Sequence, residues 1–307
     1  MMSWKAYRLV YRAMAPIHIG WHTLGYIKLT RHYIPGKNMW GAMTANLTRT
    51  YGAKGTDGYE NFGDLLKKYI LASYFYPAID QNSPLLPHFT EQGLFYGPYA
   101  KENFERLFFS SFGQTAILPQ SNTAEDESLH ESEYIAPAIN EEGKCKQVYF
   151  VGYLLIMDGA SLDDGKNIAW TDEGISIKTA IQELFVGGDM KYGWGCLKLA
   201  NDSKSEGLQT KVFGYELIPK GKGLCIKIPK YRPLPAHLEI ESEIKVKGDI
   251  EPLVGREWGT VKDKDGKQIT GAGQRISGAR ACWVPGSVVA EEKILKVGEF
   301  GILHKGN

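Results

Sequence analysis

Val148-Tyr149-Phe150-Val151-Gly152-Tyr153-Leu154-Leu155-Ile156-Met157 is a continuous apolar run of β-forming residues without one charge. Such a run predicts a central strand, covered on both faces. Upstream, Tyr7 to Met14 alternates Leu9, Tyr11 and Ala13 with Arg8, Val10 and Arg12 and predicts a first strand. Ala15 to His32 reads as a long connection with a short strand near Tyr26 to Leu29. Pro35-Gly36 opens a helix over Lys37 to Thr50, with Trp40, Met43 and Leu47 on one face and Gly52 as its stop. Further helices are predicted from Phe62 to about Tyr74 and from Ala100 to Ser111. Downstream, Ser176 to Phe185 reads as a helix, followed by a glycine-rich turn that enters a short alternating strand. Gly221 to Lys230, Glu239 to Lys247 and Ile294 to Leu303 read as strands. This order of elements fits an α+β chain: a ferredoxin-like (RRM-like) core with insertions over 1–204, then a β-rich extension over 205–307.

Composition supports a folded chain that works in water. Of 307 residues 43% are hydrophobic and 23% charged, which excludes disorder and coiled coil. The N-terminus lacks the apolar run and cleavage site of a signal peptide, and no apolar window is long enough to span a bilayer. A cytoplasmic protein without membrane contact is the expectation. The four cysteines form no CxxC pair, so reduced buried thiols are expected rather than zinc.

Net charge is only +1, yet it is segregated. Met1 to Thr56 carries eight Lys or Arg, three His and no acid, whereas Leu107 to Gly143 carries seven acids and no Lys or Arg. A positive block rich in aromatic residues suits phosphates and unpaired bases. The acidic segment, 125 to 142, suits a basic protein neighbour. Two solvated faces that offset each other are the plainer alternative.

Gly187-Gly188 and Gly193-Trp194-Gly195 bracket Asp189, Met190, Lys191 and Tyr192. Glycines let a backbone lie close to a sugar-phosphate chain, with Lys191, Tyr192 and Trp194 available to it; they serve a tight packed connection equally well. No GKS or GKT follows, so nucleotide hydrolysis and its cofactors are not expected. Pro35-Gly36-Lys37-Asn38 at a helix start offers either a phosphate seat or an ordinary turn into the helix. His18 and His22 lack a third metal ligand; with His32 they offer either RNA contacts or an acid–base pair for a 2′-hydroxyl. Gly255-Arg256-Glu257-Trp258-Gly259 and Gly271-Ala272-Gly273-Gln274-Arg275 read as β-turns, with further RNA contacts as the alternative.

Three segments in this order resemble one superfamily, the repeat-associated mysterious proteins (RAMPs) of CRISPR–Cas systems. Tyr33-Ile34-Pro35-Gly36-Lys37-Asn38-Met39-Trp40-Gly41-Ala42 resembles the family's IPGSSLKGALR helix start. Thr115 to Glu131, running on to Tyr134, is similar to its IDxxTxxAxxGxLFxxE stretch, and Val186 to Gly195 to its glycine-rich loop. The resemblance implies an RRM-like fold binding CRISPR RNA beside other CRISPR-associated subunits, with target RNA a further possible ligand. Subunits of the family that cut target RNA place an aspartate after the first strand, and Ala15 to His32 contains no acid. Trp283-Val284-Pro285-Gly286-Ser287-Val288 is similar to the PAGSV segment of the type III subunit that caps the guide's 5′ handle. The expectation is therefore a non-catalytic cap, with no cofactor or metal, whose Lys28, Arg31, His32, Lys37, Asn38 and Arg49 contact phosphates and whose Gly187 to Gly195 loop cradles the handle. A metal-independent endoribonuclease using His18, His22 or His32, or a backbone subunit that does not cut, are the alternatives.

Overall fold

The computed structural model describes residues 4–52, 57–157, 168–169, 175–200, 210–241, 243–262 and 264–306. In chain order the first elements are β1 (Trp4–Ala13), β2 (Gly20–Leu24), β3 (Ile27–Thr30), α1 (Gly36–Tyr51), α2 (Asp57–Tyr69), β4 (Ile70–Ala72) and β5 (Tyr76–Ala78). Then come α3 (Lys101–Phe108), β6 (Phe109–Gln114), β7 (His130–Ile135), β8 (Tyr149–Met157), α4 (Ile177–Ala180), β9 (Glu183–Phe185) and β10 (Cys196–Leu199). The apolar run Val148 to Met157 is indeed the central strand: β8 pairs antiparallel with β1 on one side and with β4 and β5 on the other. The sheet runs β9-β10-β1-β8-β4. Alternation explains its two dry faces. Phe150, Leu154 and Ile156 join Leu9, Tyr11 and Ala13 in a core shared with α1 and α2. Tyr153 and Leu155 enter a second core made largely by residues after 210.

α1 begins and ends as its pattern demands. Met39, Trp40, Met43 and Leu47 are buried on one face, and Gly52 leaves the helix in an extended conformation while its N–H reaches the Thr48 carbonyl. Three helical expectations are corrected. α2 ends at Tyr69 because Ile70, Leu71 and Ala72, all buried, complete the edge of β8. α3 ends at Phe108, where β6 pairs along β7. The helix expected over Ser176 to Phe185 is the four-residue α4, after which β9 pairs with β10. The connection after β1 holds a hairpin of β2 and β3, with β3 parallel to β7.

Beyond residue 210 lie β11 (Lys211–Val212), β12 (Tyr215–Lys220), β13 (Gly223–Ile228), β14 (Leu238–Glu239), β15 (Ile250–Lys262), β16 (Gln268–Trp283), β17 (Lys293–Val297) and β18 (Leu303–Lys305). They form a sheet in the order β11-β12-β13-β17-β18-β14-β16-β15. Its Val212, Leu224, Ile226, Ile228 and Leu295 share a core with Ala6, Tyr33, Tyr74 and Tyr76. The domain boundary expected at 205 lies outside the described residues. The two glycine-containing segments read as β-turns, 255–259 and 271–275, instead lie inside β15 and β16, which form one long hairpin. Its register shifts at Gly255/Arg256 and between Glu257 and Gly259, so these glycines relax the ladder as bulges instead of reversing the chain. Among the described residues no helix is long and apolar enough to cross a membrane.

Candidate nucleic-acid interface

A groove of about 1050 Å³ opens where α1, the glycine-rich loop and the long hairpin meet. Lys37, Asn38, Gly41, Ala45 and Arg49 line it from α1, Gly187, Met190 and Lys191 from the loop, and Leu253 to Trp258 with Arg280 from the hairpin. The small residues of α1 leave the space open. Its aromatic wall is fixed from behind: the Trp40 indole donates to the Gly63 carbonyl at 2.9 Å, Phe300 crosses Trp40 edge-on at 5.2 Å, and Tyr59 lies 5.2 Å from Trp258. The Trp258 indole N–H is buried without a hydrogen-bond partner among the described residues.

Two buried acids of β15 neutralise the groove's floor. Glu251 accepts from Arg31 Nη1 at 2.6 Å and from Trp21 Nε1 at 2.7 Å. Glu257 lies 2.9 Å from Lys67 Nζ and 3.5 Å from Lys37 Nζ. Arg31 and Lys37, expected on phosphates, thus face carboxylates of their own chain. Burial holds Lys37 below the usual lysine range, and Glu257 restores only part of it. Exposed positive charge remains with Arg49, Lys191 and Arg256.

Around Glu251 a polar network closes. The buried Tyr74 hydroxyl, held protonated by burial, donates to His237 Nδ1 at 2.6 Å, so Nε2–H of the neutral ring donates to Glu251. Burial lowers the His237 pKa despite Glu251. For Glu251 burial raises the pKa, but the hydrogen bond from His237 and the Arg31 charge outweigh it and hold the carboxyl at about 2.

The glycine-rich loop divides its work. Gly187 has φ +81°, and a Cβ there would sit 2.0 Å from the His18 carbonyl oxygen, which accepts the Gly188 N–H at 2.9 Å. At Gly195, φ +84°, a Cβ would sit 2.3 Å from the Val186 carbonyl. These glycines close on protein, as a tight connection does. The apex instead faces out: Met190 and Tyr192 are 51% and 55% exposed, and Lys191 Nζ stands 4.9 Å over the Tyr192 ring. Asp189, at φ 56°, accepts from Ser132 Oγ at 3.1 Å, and Gly193, at φ 86°, ends the turn in open space. Trp194 is buried, edge-on to Tyr134 at 4.9 Å.

The three N-terminal histidines do not share a surface role. His18 is buried, with Nδ1 2.6 Å from the Glu133 carbonyl. His32 is buried too, stacked on Tyr96 at 4.8 Å and bonded through Nε2 to Glu105 at 2.8 Å. Only His22 of the three is exposed, 4.5 Å from the Trp21 ring. Lys28 is exposed on β3 and does not line the groove. Of the acidic segment, Glu125, Asp126 and Glu127 are exposed, whereas Glu133 accepts from the Thr30 N–H at 2.9 Å and Glu141 from Lys146 and Tyr99, each at 2.6 Å. Among the described residues no group of three His, Cys, Asp or Glu side chains is placed to hold a metal.

The sequence offered 255–259 as a turn or as further RNA contacts, and the structure places Arg256, Glu257 and Trp258 in the groove's lining; Glu251 and Arg280 were not anticipated. A signal was present: Glu251 and Glu257 are six apart, an even spacing that sets both on one face of a strand until a bulge intervenes.

No family model matches this chain, and no curated protein is similar to it in sequence. Solved structures do share the fold. A chain of the type III-B Cmr-beta complex bound to cognate target RNA aligns with a TM-score of 0.51 and 12% identity over 92% of this chain and 86% of that one. A chain of the same complex with cognate target RNA and AMPPnP, state 1, aligns with a TM-score of 0.51 and 12% identity over 93% and 86%.

Proposed function

We propose that this chain is a guide-RNA-binding, non-catalytic subunit of a type III CRISPR effector complex in the cytoplasm, seated as the cap on the guide's 5′ handle. The convergence of two motif segments on one groove carries the reading: residues 37–49 and 187–191 are about 140 residues apart in sequence and line the same cleft. Its exposed cations and stacking faces suit unpaired RNA. The succession β1-α1-β4-β8-α4-β10, with the antiparallel order β10-β1-β8-β4, supports a ferredoxin-like core. Similarity in fold to chains of a complex that binds cognate target RNA supports the setting. Burial of His18 and His32 removes two of the three candidate acid–base histidines, since a general acid or base must reach the 2′-hydroxyl, and leaves only His22 exposed.

The test is incubation of the purified chain with labelled CRISPR repeat RNA in EDTA over a salt series. Intact RNA bound with an affinity that falls as salt rises is the expected result. Specific cleavage in EDTA contradicts the non-catalytic reading; no salt-sensitive binding contradicts the whole.

A further inference from the structure

A second basic and aromatic site stands apart from the groove. At the turn after β13, Tyr231 is 67% exposed and holds a left-handed backbone, φ 61°, which a tyrosine rarely adopts. Its N–H is anchored on the Val289 carbonyl at 3.0 Å. Lys230 Nζ lies 4.6 Å from the centroid of the Tyr231 ring, and the Arg232 guanidinium lies 5.8 Å from that of Tyr215. Val288 and Val289 form the middle of this corner: Pro233 bridges to Val288 on one side, while Val246 and Lys247 pair with Val289 and Val288 on the other. The Ala290 N–H binds the Lys245 carbonyl at 2.9 Å. Thus 230–232 and 245–247 flank one short strand, about 5 Å away on each side.

That strand is held rigidly by the segment before it. Ser287 is wholly buried, its carbonyl accepts the Leu234 N–H at 2.7 Å, and Gly286 donates to the Leu234 carbonyl at 2.9 Å. The Trp283 to Val288 segment therefore builds the support of this corner. Nearby carboxylates are spoken for: Glu291 is 3.1 Å from Lys293 and Glu292 is 3.1 Å from Lys227. Among the described residues Lys230, Arg232, Lys245 and Lys247 form no ion pair within 4.0 Å, although the charges of Lys245 and Lys230 act on Glu291 from farther off. None of the four lines the groove.

We infer that Tyr231, with Lys230, Arg232, Lys245 and Lys247, is a second contact for single-stranded RNA, stacking one base on the tyrosine while the cations take the flanking phosphates. An acidic protein would satisfy the charges but would not need the presented ring. The groove's loop uses the same device, Lys191 over the exposed Tyr192. The inference rests on the chain being an RNA-binding protein and goes beyond the groove.

The experiment measures binding of a labelled single-stranded RNA to the whole chain and to four variants: Tyr231→Ala, Tyr231→Phe, Lys245→Ala with Lys247→Ala, and Arg49→Ala with Lys191→Ala in the groove. Tyr231→Ala is expected to weaken binding about tenfold, and Tyr231→Phe to leave it unchanged, because stacking needs only the ring. The paired lysine variant is expected to reduce the slope of log affinity on log salt by about 1.4, two single-strand phosphate contacts. If the groove variant weakens binding and Tyr231→Ala does not, the second site is overturned and the groove stands. Should Tyr231→Ala weaken binding while the groove variant does not, the second site stands and the groove reading fails. Loss of polyglutamate binding in the lysine variant, with RNA binding intact, overturns the inference in favour of an acidic protein.

Discussion

At Glu251 three donors, Trp21 and Arg31 from far upstream and His237 from 14 residues away, meet one buried carboxylate. The consequence is a pH dependence with a definite sign. A carboxyl held at about 2 when folded and near its usual value of 4.5 when unfolded stabilises the fold above pH 4.5 and loses that contribution as pH falls toward 2. Glu251→Gln is expected to destabilise the protein by about 3–5 kcal/mol at pH 7, because Arg31 is left buried without its partner. In urea unfolding the gap between variant and wild type should shrink below pH 4.5, where the carboxyl of the unfolded wild-type chain takes up a proton that the folded one still refuses. A gap that stays constant from pH 7 to pH 3 would show that Glu251 is not held ionised. His237 acts in the same direction: its lowered pKa means that acid below the ordinary histidine value favours the unfolded chain.

Among the elements, the glycine-rich loop separates structural from presenting positions. Gly187→Ala forces a Cβ onto the His18 carbonyl and also keeps φ +81°, whereas Gly193→Ala, at φ +86°, meets open space. Both lose roughly 1 kcal/mol or more to the left-handed backbone, and Gly187→Ala should cost at least about 2 kcal/mol beyond that through displacement of the loop. Thermal unfolding of the two variants measures the difference; equal losses would mean that the loop is not seated on His18. The same elements show what a sequence can and cannot reveal. α1 was legible because Trp40, Met43 and Leu47 repeat on one face and Gly52 marks its end. The region after Tyr69 was not, because the short apolar stretch Ile70 to Ala72 fits helix and strand alike until β8 offers its edge. α4 was overestimated for the same reason. The long hairpin was missed because its internal glycines look like turns, and only pairing such as Glu257 with Arg275 shows them to be bulges.

Across the whole molecule, the sequence indicated a positive N-terminal block but not how that charge is spent. Arg31 and Lys37 are matched by Glu251 and Glu257, some 220 residues away in each case, and no local pattern encodes such a pairing. What remains positive in the groove is its rim, Arg49, Lys191 and Arg256. The groove itself exists because the β-rich C-terminal residues share a core with the central sheet and carry the hairpin across α1. The most direct test of the central claim is photo-crosslinking of guide RNA to the assembled complex, followed by identification of the crosslinked peptides of this chain. The account predicts crosslinks on Met190 to Tyr192 and on the hairpin near Trp258, reduced by Arg49→Ala with Lys191→Ala. Crosslinks that avoid both segments, in a complex that retains its guide, would contradict it.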